Sequence, residues 1–158
     1  MVPLARSLLA LAAVAAVAGC SFQYQEERAY DEVFLVGGEQ LQIAGVRGDV
    51  VLQGWDDDRA KIHGTARATG PTPEKARDNL DLARLKEDRG PAELTLRFDP
   101  PLDRVSVVDL EIDRLSSVPR AVDLVVGTRQ GDIVTAGMTG DQQLDTTTGD
   151  VVVDSAVG

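Results

Sequence analysis

Pairs of glycine and aspartate at fixed intervals are the residues of this chain best placed to do chemistry. Gly131-Asp132, Gly140-Asp141 and Gly149-Asp150 recur every nine residues, and Gly48-Asp49 is an upstream copy. Strands stacked about 4.8 Å apart would bring Asp132 and Asp150 close enough to repel. A Ca²⁺ ion, which takes about six to eight oxygen ligands, would relieve that repulsion. The competing reading is structural: each Asp side chain accepts its own backbone N–H in an Asx-turn, and Gly supplies the positive φ. The spacing departs from the Gly-Gly-x-Gly-x-Asp pattern of calcium-binding arrays, so the turn reading is preferred and no metal ligand is assigned.

Three further sets were weighed. Asp56-Asp57-Asp58 and the alternating Asp109, Glu111 and Asp113 could bind cations or a basic partner, but acidic turns and strand faces are ordinarily solvating surface that opposes aggregation. His63 is the single histidine; at an outward strand position beside Gly64 it is read as lacking the second and third ligands or the acid/base partner that catalysis needs. Trp55 is either a core plug at a corner or an exposed ring for stacking on a sugar. Its overlay on Met138 and Ala156 favours the plug. No nucleophile elbow, phosphate loop, metal-spaced His/Cys pair or dinucleotide glycine pattern occurs. The chain is therefore read as non-enzymatic, with no catalytic, cofactor-binding or metal residues; a polysaccharide-acting enzyme is a distant third reading.

The elements that would position these residues follow from the repeat. Shifted by 18 residues, Leu124–Gly158 overlays itself: Gly131-Asp132-Ile133-Val134 falls on Gly149-Asp150-Val151-Val152, Val126 on Leu144, and Thr128 on Thr146. Leu41–Asp58 overlays Leu124–Asp141 in the same way. Short β-rich units with a turn at a fixed interval predict a mainly β fold, a β-solenoid of stacked short strands with about 18 residues per coil. Alternation predicts strands at Glu32–Val36, around Leu41–Leu52, at Lys61–Thr69 and at Ala92–Phe98. A phase slip at Val107-Val108 predicts a β-bulge. Ser116–Pro119 reads as a turn. One inserted helix is expected at about 73–87, with Thr72 as N-cap, Pro73 in the first turn, and Gly90-Pro91 beyond its end.

The first residues read as a targeting segment. Arg6 precedes an apolar run, Leu8–Ala18, too short to span a bilayer and suited to a signal-peptide core. Val17-Ala18-Gly19-Cys20 resembles a bacterial lipobox, which implies a lipoprotein with Cys20 joined to diacylglycerol. Acyl chains contribute about 0.8 kcal/mol per buried methylene, enough for stable anchoring once two or three share one Cys. Residues 1–19 are then a signal peptide, 20–31 a polar tether and 32–158 a single β-rich domain. Cys20 is the only cysteine, so no intrachain disulfide can form. Loss of residues 1–19 removes one arginine and moves the net charge from −10 to −11. So acidic a body is repelled by nucleic acid and by anionic headgroups, leaving the lipid to hold it at the membrane. The absence of Asp after Cys20 implies the outer membrane if the envelope is Gram-negative.

Gly45–Asp56, the helical insert at Glu74–Asp78, Val107–Ile112, Val118-Pro119 and the Gly-Asp units stand in an order similar to the bacterial "putative adhesin" domain family, over roughly residues 41–158. That resemblance implies an envelope-exposed, non-catalytic β-solenoid. Two roles follow as expectations: a lipid-anchored adhesive or binding module using strand faces and Thr146, Thr147 and Thr148 against a protein or cell-surface glycan, or an envelope-stress sensing accessory acting through a membrane partner. The sequence stops on Gly158 after two windings. This leaves open a chain cut short or a C-terminal edge strand completed by association with a partner.

Overall fold

The computed structural model describes residues 23–98 and 108–154. The signal peptide, Cys20, the Val107-Val108 slip and Gly158 all lie at least partly outside the described residues. Among the described residues twelve strands and one helix occur in the order β1 (Tyr24–Leu35), β2 (Gln40–Val46), β3 (Val50–Trp55), β4 (Arg59–Gly70), α1 (Pro73–Leu80), β5 (Leu85–Arg89), β6 (Glu93–Phe98), β7 (Val108–Ile112), β8 (Ser117–Pro119), β9 (Leu124–Thr128), β10 (Ile133–Ala136), β11 (Gln142–Thr146) and β12 (Val151–Asp154). One sheet runs β1-β4-β7-β3-β10-β12, with β8 pairing β3 and β4; the other runs β11-β9-β2-β6-β5. Their inward faces share one buried cluster, in which Leu41, Ile43, Val50, Leu52, Leu94, Leu96, Phe98, Leu124 and Ile133 are almost fully enclosed. Tyr30 closes it edge-on to Phe98, with ring centroids 6.5 Å apart.

The registers expected from the repeat are present. Leu41 pairs with Leu124, and Val50 with Ile133. Ile133 pairs with Val151, and Val126 with Leu144, all in parallel ladders. The fold is nevertheless not a β-solenoid but two mixed sheets. In each sheet the arc β2–β3 lies between an arc formed later, β6 and β7, and the arc β9–β10, so winding does not advance in one direction. The remaining strands add antiparallel ladders, β1 with β4, β4 with β7 and β5 with β6. The 18-residue period therefore governs only the last four strands, which continue the β2–β3 layer.

Local chemistry explains where other expectations fail. β1 begins at Tyr24, so most of the stretch read as a tether is strand, paired with β4 from Tyr24↔Gly70 to Leu35↔Arg59. Its inward face is polar at first because it meets α1: Arg28 pairs with Asp81 at 2.6 Å and Glu26 with Arg77 at 3.6 Å. Only Tyr30 and Phe34 farther along carry the apolar signal. The helix starts as expected, with Thr72 Oγ1 accepting the Lys75 N–H at 3.1 Å. It stops at Leu80 and not near residue 87, because Leu85–Arg89 is taken by an antiparallel hairpin with β6, Leu85 opposite Phe98. Asn79 secures the helix by donating to the Thr69 carbonyl at 2.7 Å. Ser117–Pro119, within the expected turn, is strand β8 on β3.

Candidate functional site

The corner between β9 and β10, and its counterparts above and below, is the most regular feature of the molecule. Gly48, Gly131 and Gly149 all adopt positive φ, at 141°, 125° and 142°. They stack so closely that a Cβ on Gly131 would lie 2.7 Å from Asp49 N and nearer still to the Gly48 carbonyl. The aspartates form a ladder between layers and not Asx-turns within them. Asp132 N–H donates to Asp49 Oδ1 at 2.9 Å, and Asp150 N–H donates to Asp132 Oδ1 at 2.8 Å. A second ladder at the opposite corner joins Asp141 N–H to Asp123 Oδ1 at 3.1 Å. Two threonines repeat the pattern: Thr128 Oγ1 donates to the Gly48 carbonyl at 3.0 Å, and Thr146 Oγ1 to the Gly131 carbonyl at 2.9 Å. Each layer thus offers the next one two acceptors, a glycine carbonyl and an aspartate carboxylate. Repulsion between stacked carboxylates is offset by charge-assisted bonds to N–H. Among the described residues no group of three or more His, Cys, Asp or Glu side chains is arranged to hold a metal ion.

The outward face of the first sheet is organised around β4, where Arg59, Lys61, His63 and Arg67 alternate with the buried Ala60, Ile62, Ala66 and Ala68. Acidic strands flank this cationic stripe. Arg67 bridges Glu27 at 2.9 Å and Glu111 at 3.1 Å, while Arg47 meets Asp109 at 3.1 Å. Two members of the acidic stripe, Asp109 and Glu111, are therefore paired with arginines within the molecule. Contrary to the sequence reading, His63 does have an acidic partner: its Nδ1 lies 2.7 Å from Asp113 Oδ2, fifty residues away in sequence. Ser116 completes the group without becoming a nucleophile. Its hydroxyl accepts the His63 backbone N–H and donates to the His63 carbonyl, both at 2.8 Å, and so holds the peptide and not the ring.

In the turn Asp56–Asp58, Asp57 binds Arg59, whose guanidinium holds the carboxyl well below the usual carboxylate range. Asp56 pairs with Arg120 at 2.7 Å. Trp55 is not a core plug. It is half-buried on the outward side of β3, opposite Pro119, and its Nε1–H donates to the Arg59 carbonyl at 2.7 Å.

Sequence reasoning missed a groove of about 500 Å³ on the outward face of the second sheet. Its floor is Ala44 beside Gly127, where nothing lies within 4 Å of a Cβ added to the glycine. β2 carries one extra residue here relative to β9, with Gly45 at φ 73°, so the strand bulges beside the floor. Gln42, Arg129, Gln143, Asp145 and Thr147 form the rim. The one sequence signal was the set of small residues Ala44-Gly45 and Gly127 on neighbouring strands, where the register shifts. Of the three threonines expected to make contacts, Thr147 reaches this rim, Thr148 is exposed and Thr146 is engaged in the corner ladder.

No protein-family model matches the chain, and neither does any curated protein. Among solved structures it is similar to a "putative cell adhesion protein" from Clostridium sporogenes, with a TM-score of 0.48 and 11% identity. The match covers 82% of this chain and 62% of that one, so this chain spans under two thirds of its length. At that identity the likeness concerns the course of the backbone and not the side chains of the groove.

Proposed function

We propose that this protein is a non-catalytic, lipid-anchored cell-envelope module that binds a polar surface ligand, a glycan in preference to a protein, in the groove across β2, β9 and β11. The observation that carries the reading is the groove's construction. Its volume is that of a small-ligand site, its floor is kept open by Ala44 and Gly127, and its rim presents amide, carboxylate, hydroxyl and guanidinium groups. Such a rim can exchange hydrogen bonds with a polyol, which supplies many donors and acceptors. It has no aromatic anchor of the kind that dominates protein–protein hot spots. Anchoring rests on Cys20 and the segment before it, and placement in the envelope follows from the same segment.

Binding of the soluble form starting at Ser21 to isolated envelopes and to immobilised glycans tests this. Gly127→Phe fills the groove from a position with free space around it and is expected to lower binding at least tenfold with the melting temperature unchanged. Unaltered binding by a folded Gly127→Phe protein would refute the groove as the contact surface. Cys20→Ser is expected to abolish incorporation of labelled fatty acid and release the protein from membranes. A second reading, an envelope-stress accessory acting through a protein partner, is favoured by a different feature, the apolar edge at β12.

A further inference from the structure

β1 is the outermost strand of its sheet, paired with β4 on one side. The Val36 N–H donates to the Asp58 carbonyl at 2.8 Å, and the same register continues through Tyr30↔Gly64. Bonded pairs alternate in an antiparallel ladder, so the even-numbered residues of β1 bond β4. The odd ones, Glu27, Ala29, Asp31 and Val33, turn their N–H and C=O groups away from the sheet. β4 agrees, since the His63 carbonyl accepts the Asp113 N–H at 3.0 Å on its opposite side. At the outer side of β1 only the Leu35 carbonyl meets a donor among the described residues, the Arg89 guanidinium at 2.6 Å. An open groove of about 490 Å³ follows this edge, between Arg28–Glu32 and Ala83–Leu85. Long bare edges are ordinarily blunted by lysine, proline or a bulge. β1 carries none of these, and Val33 and Leu35 stand 55% and 59% exposed on its outward face.

We propose that this edge pairs with the same edge of a second copy, β1 antiparallel to β1 about a two-fold axis at Tyr30, so that the two sheets become one. The alternation requires odd residues to bond odd ones, and charge then selects the register. With Tyr30 facing Tyr30, Ala29 bonds Asp31, Glu27 bonds Val33 and Arg28 faces Glu32, each contact made twice. Arg28 and Glu32 then form a non-hydrogen-bonded pair, the kind whose side chains lie closer. Sliding one strand by two residues brings Glu26 opposite Glu32 and Glu27 opposite Asp31 in one direction, and Asp31 opposite Asp31 in the other. Within one copy Glu32 is half-buried with no cation paired to it among the described residues, and burial holds its carboxyl above the ordinary value. The second copy's Arg28 supplies that cation, with Arg84 lining the same groove. Asp81 takes one terminal nitrogen of Arg28, and the remaining N–H groups of the guanidinium can donate across the axis. On the outward face Val33 comes to lie between the second copy's Glu27 and Ala29. A net charge of −10 on each copy opposes association, and one strand pair falls short of the roughly 1,200–2,000 Å² of a stable interface. The dimer is therefore weak and concentration-dependent.

The test uses the full chain in detergent with a reducing agent, so that Cys20 cannot link copies, over a series reaching about 1 mM. Amide exchange at Ala29, Asp31 and Val33 is expected to slow at least tenfold as concentration rises, while Arg28, Tyr30 and Glu32, already bonded to β4, change less. In sedimentation, Glu32→Arg and Arg28→Glu, each shown by melting to fold, should lose the dimer singly because like charges then face each other. An equal mixture of the two should regain it, since every facing pair is again opposite in sign. Ala29→Pro removes an outer N–H and leaves the β4 ladder intact. It should abolish the slowing, and it serves where Arg28→Glu, deprived of Asp81, does not fold. The proposal is overturned by an absence of slowing, by slowing that does not alternate along β1, by a folded mixture that stays monomeric, or by a folded charge variant or Ala29→Pro protein that dimerises as the parent does.

Discussion

Replacing Gly131 with alanine tests the corner stack directly, and Gly127→Ala, in the adjoining strand, is its control. Gly131 has φ 125°, a region that costs a side-chain-bearing residue about 1–3 kcal/mol. The new methyl would also stand 2.7 Å from Asp49 N, against backbone and not against a side-chain end that could swing away. Relief requires separating the layers, which stretches the Gly48 N–H bond to the Gln130 carbonyl at 2.7 Å and the Asp132 N–H bond to Asp49. Overpacking of this kind adds about 1–3 kcal/mol. The sum, about 2–6 kcal/mol, is a large share of the roughly 5–15 kcal/mol that holds a domain together. At Gly127 neither term applies, and the methyl restricts the unfolded chain, so a change between zero and about 1 kcal/mol of stabilisation is expected. Urea unfolding followed by far-ultraviolet dichroism and by the single Trp55 measures both. If Gly131→Ala cost less than about 1 kcal/mol, or if the two substitutions behaved alike, the close stacking of the corners would be wrong.

Thr72→Ala removes the cap of α1 and is expected to cost about 0.5–2 kcal/mol, with Thr72→Ser recovering most of it in the same unfolding assay. Tyr30→Phe should change stability by no more than about 1 kcal/mol in either direction, because the buried Tyr30 hydroxyl has, among the described residues, only the neighbouring Arg28 guanidinium to interact with. A loss above that size would reveal a bond the hydroxyl makes. For pH, the Arg28 guanidinium holds the Asp81 carboxyl below its ordinary value. The pair therefore contributes above about pH 4 and is lost as pH falls through the folded value. Asp81→Asn should flatten the fall of melting temperature between pH 5 and 3. Burial shifts Glu32 the other way, so its cost is present at neutral pH and relieved by acid; Glu32→Gln should raise the melting temperature at pH 7 and have no effect at pH 3.

What could be read from the sequence was whatever repeats at short range or alternates cleanly. Leu41, Leu124 and Ile133 found their register partners because the same side chains recur in the same order, and β4 showed its buried face through Ile62, Ala66 and Ala68. The start of α1 was legible because capping is a property of three consecutive residues. What failed was non-local. β1 reads as polar because Glu26 and Arg28 are satisfied by ion pairs with a helix some fifty residues away. The end of α1 is set by competition with β6, which no helical signal encodes. The Gly-Asp spacing correctly marked corners but could not distinguish a carboxylate bonded within its own turn from one bonded to the next layer, since both need the same two residues. For the same reason the period of 18 suggested a continuous winding. The order of the arcs, with β2–β3 in the middle, depends on where β6 and β7 insert. His63 found Asp113 only because β4 and β7 are neighbours.

The ladders also have a direction, and this leads to a last prediction. At each corner the Thr hydroxyl and the Asp N–H donate downward, Thr128 to Gly48 and Thr146 to Gly131, whereas the Gly and Val or Ile N–H groups donate upward, Gly131 to Thr148 and Ile133 to Asp150. Two carboxylates about 5 Å apart repel by about 0.8 kcal/mol in water. Arginine recurs alongside the lower two corners, whereas the third has Thr147 in its place. Thr147→Arg extends the cationic column by one layer. As an exposed contact it should contribute about 0.2–1 kcal/mol, which for a domain of this size raises the melting temperature by roughly 1–4 °C. The gain should fade in 1 M sodium chloride, where the screening length falls to about 3 Å. A gain that survived high salt would mean that the long side chain acts by packing. No gain at low salt would mean that the corner carboxylates are already balanced.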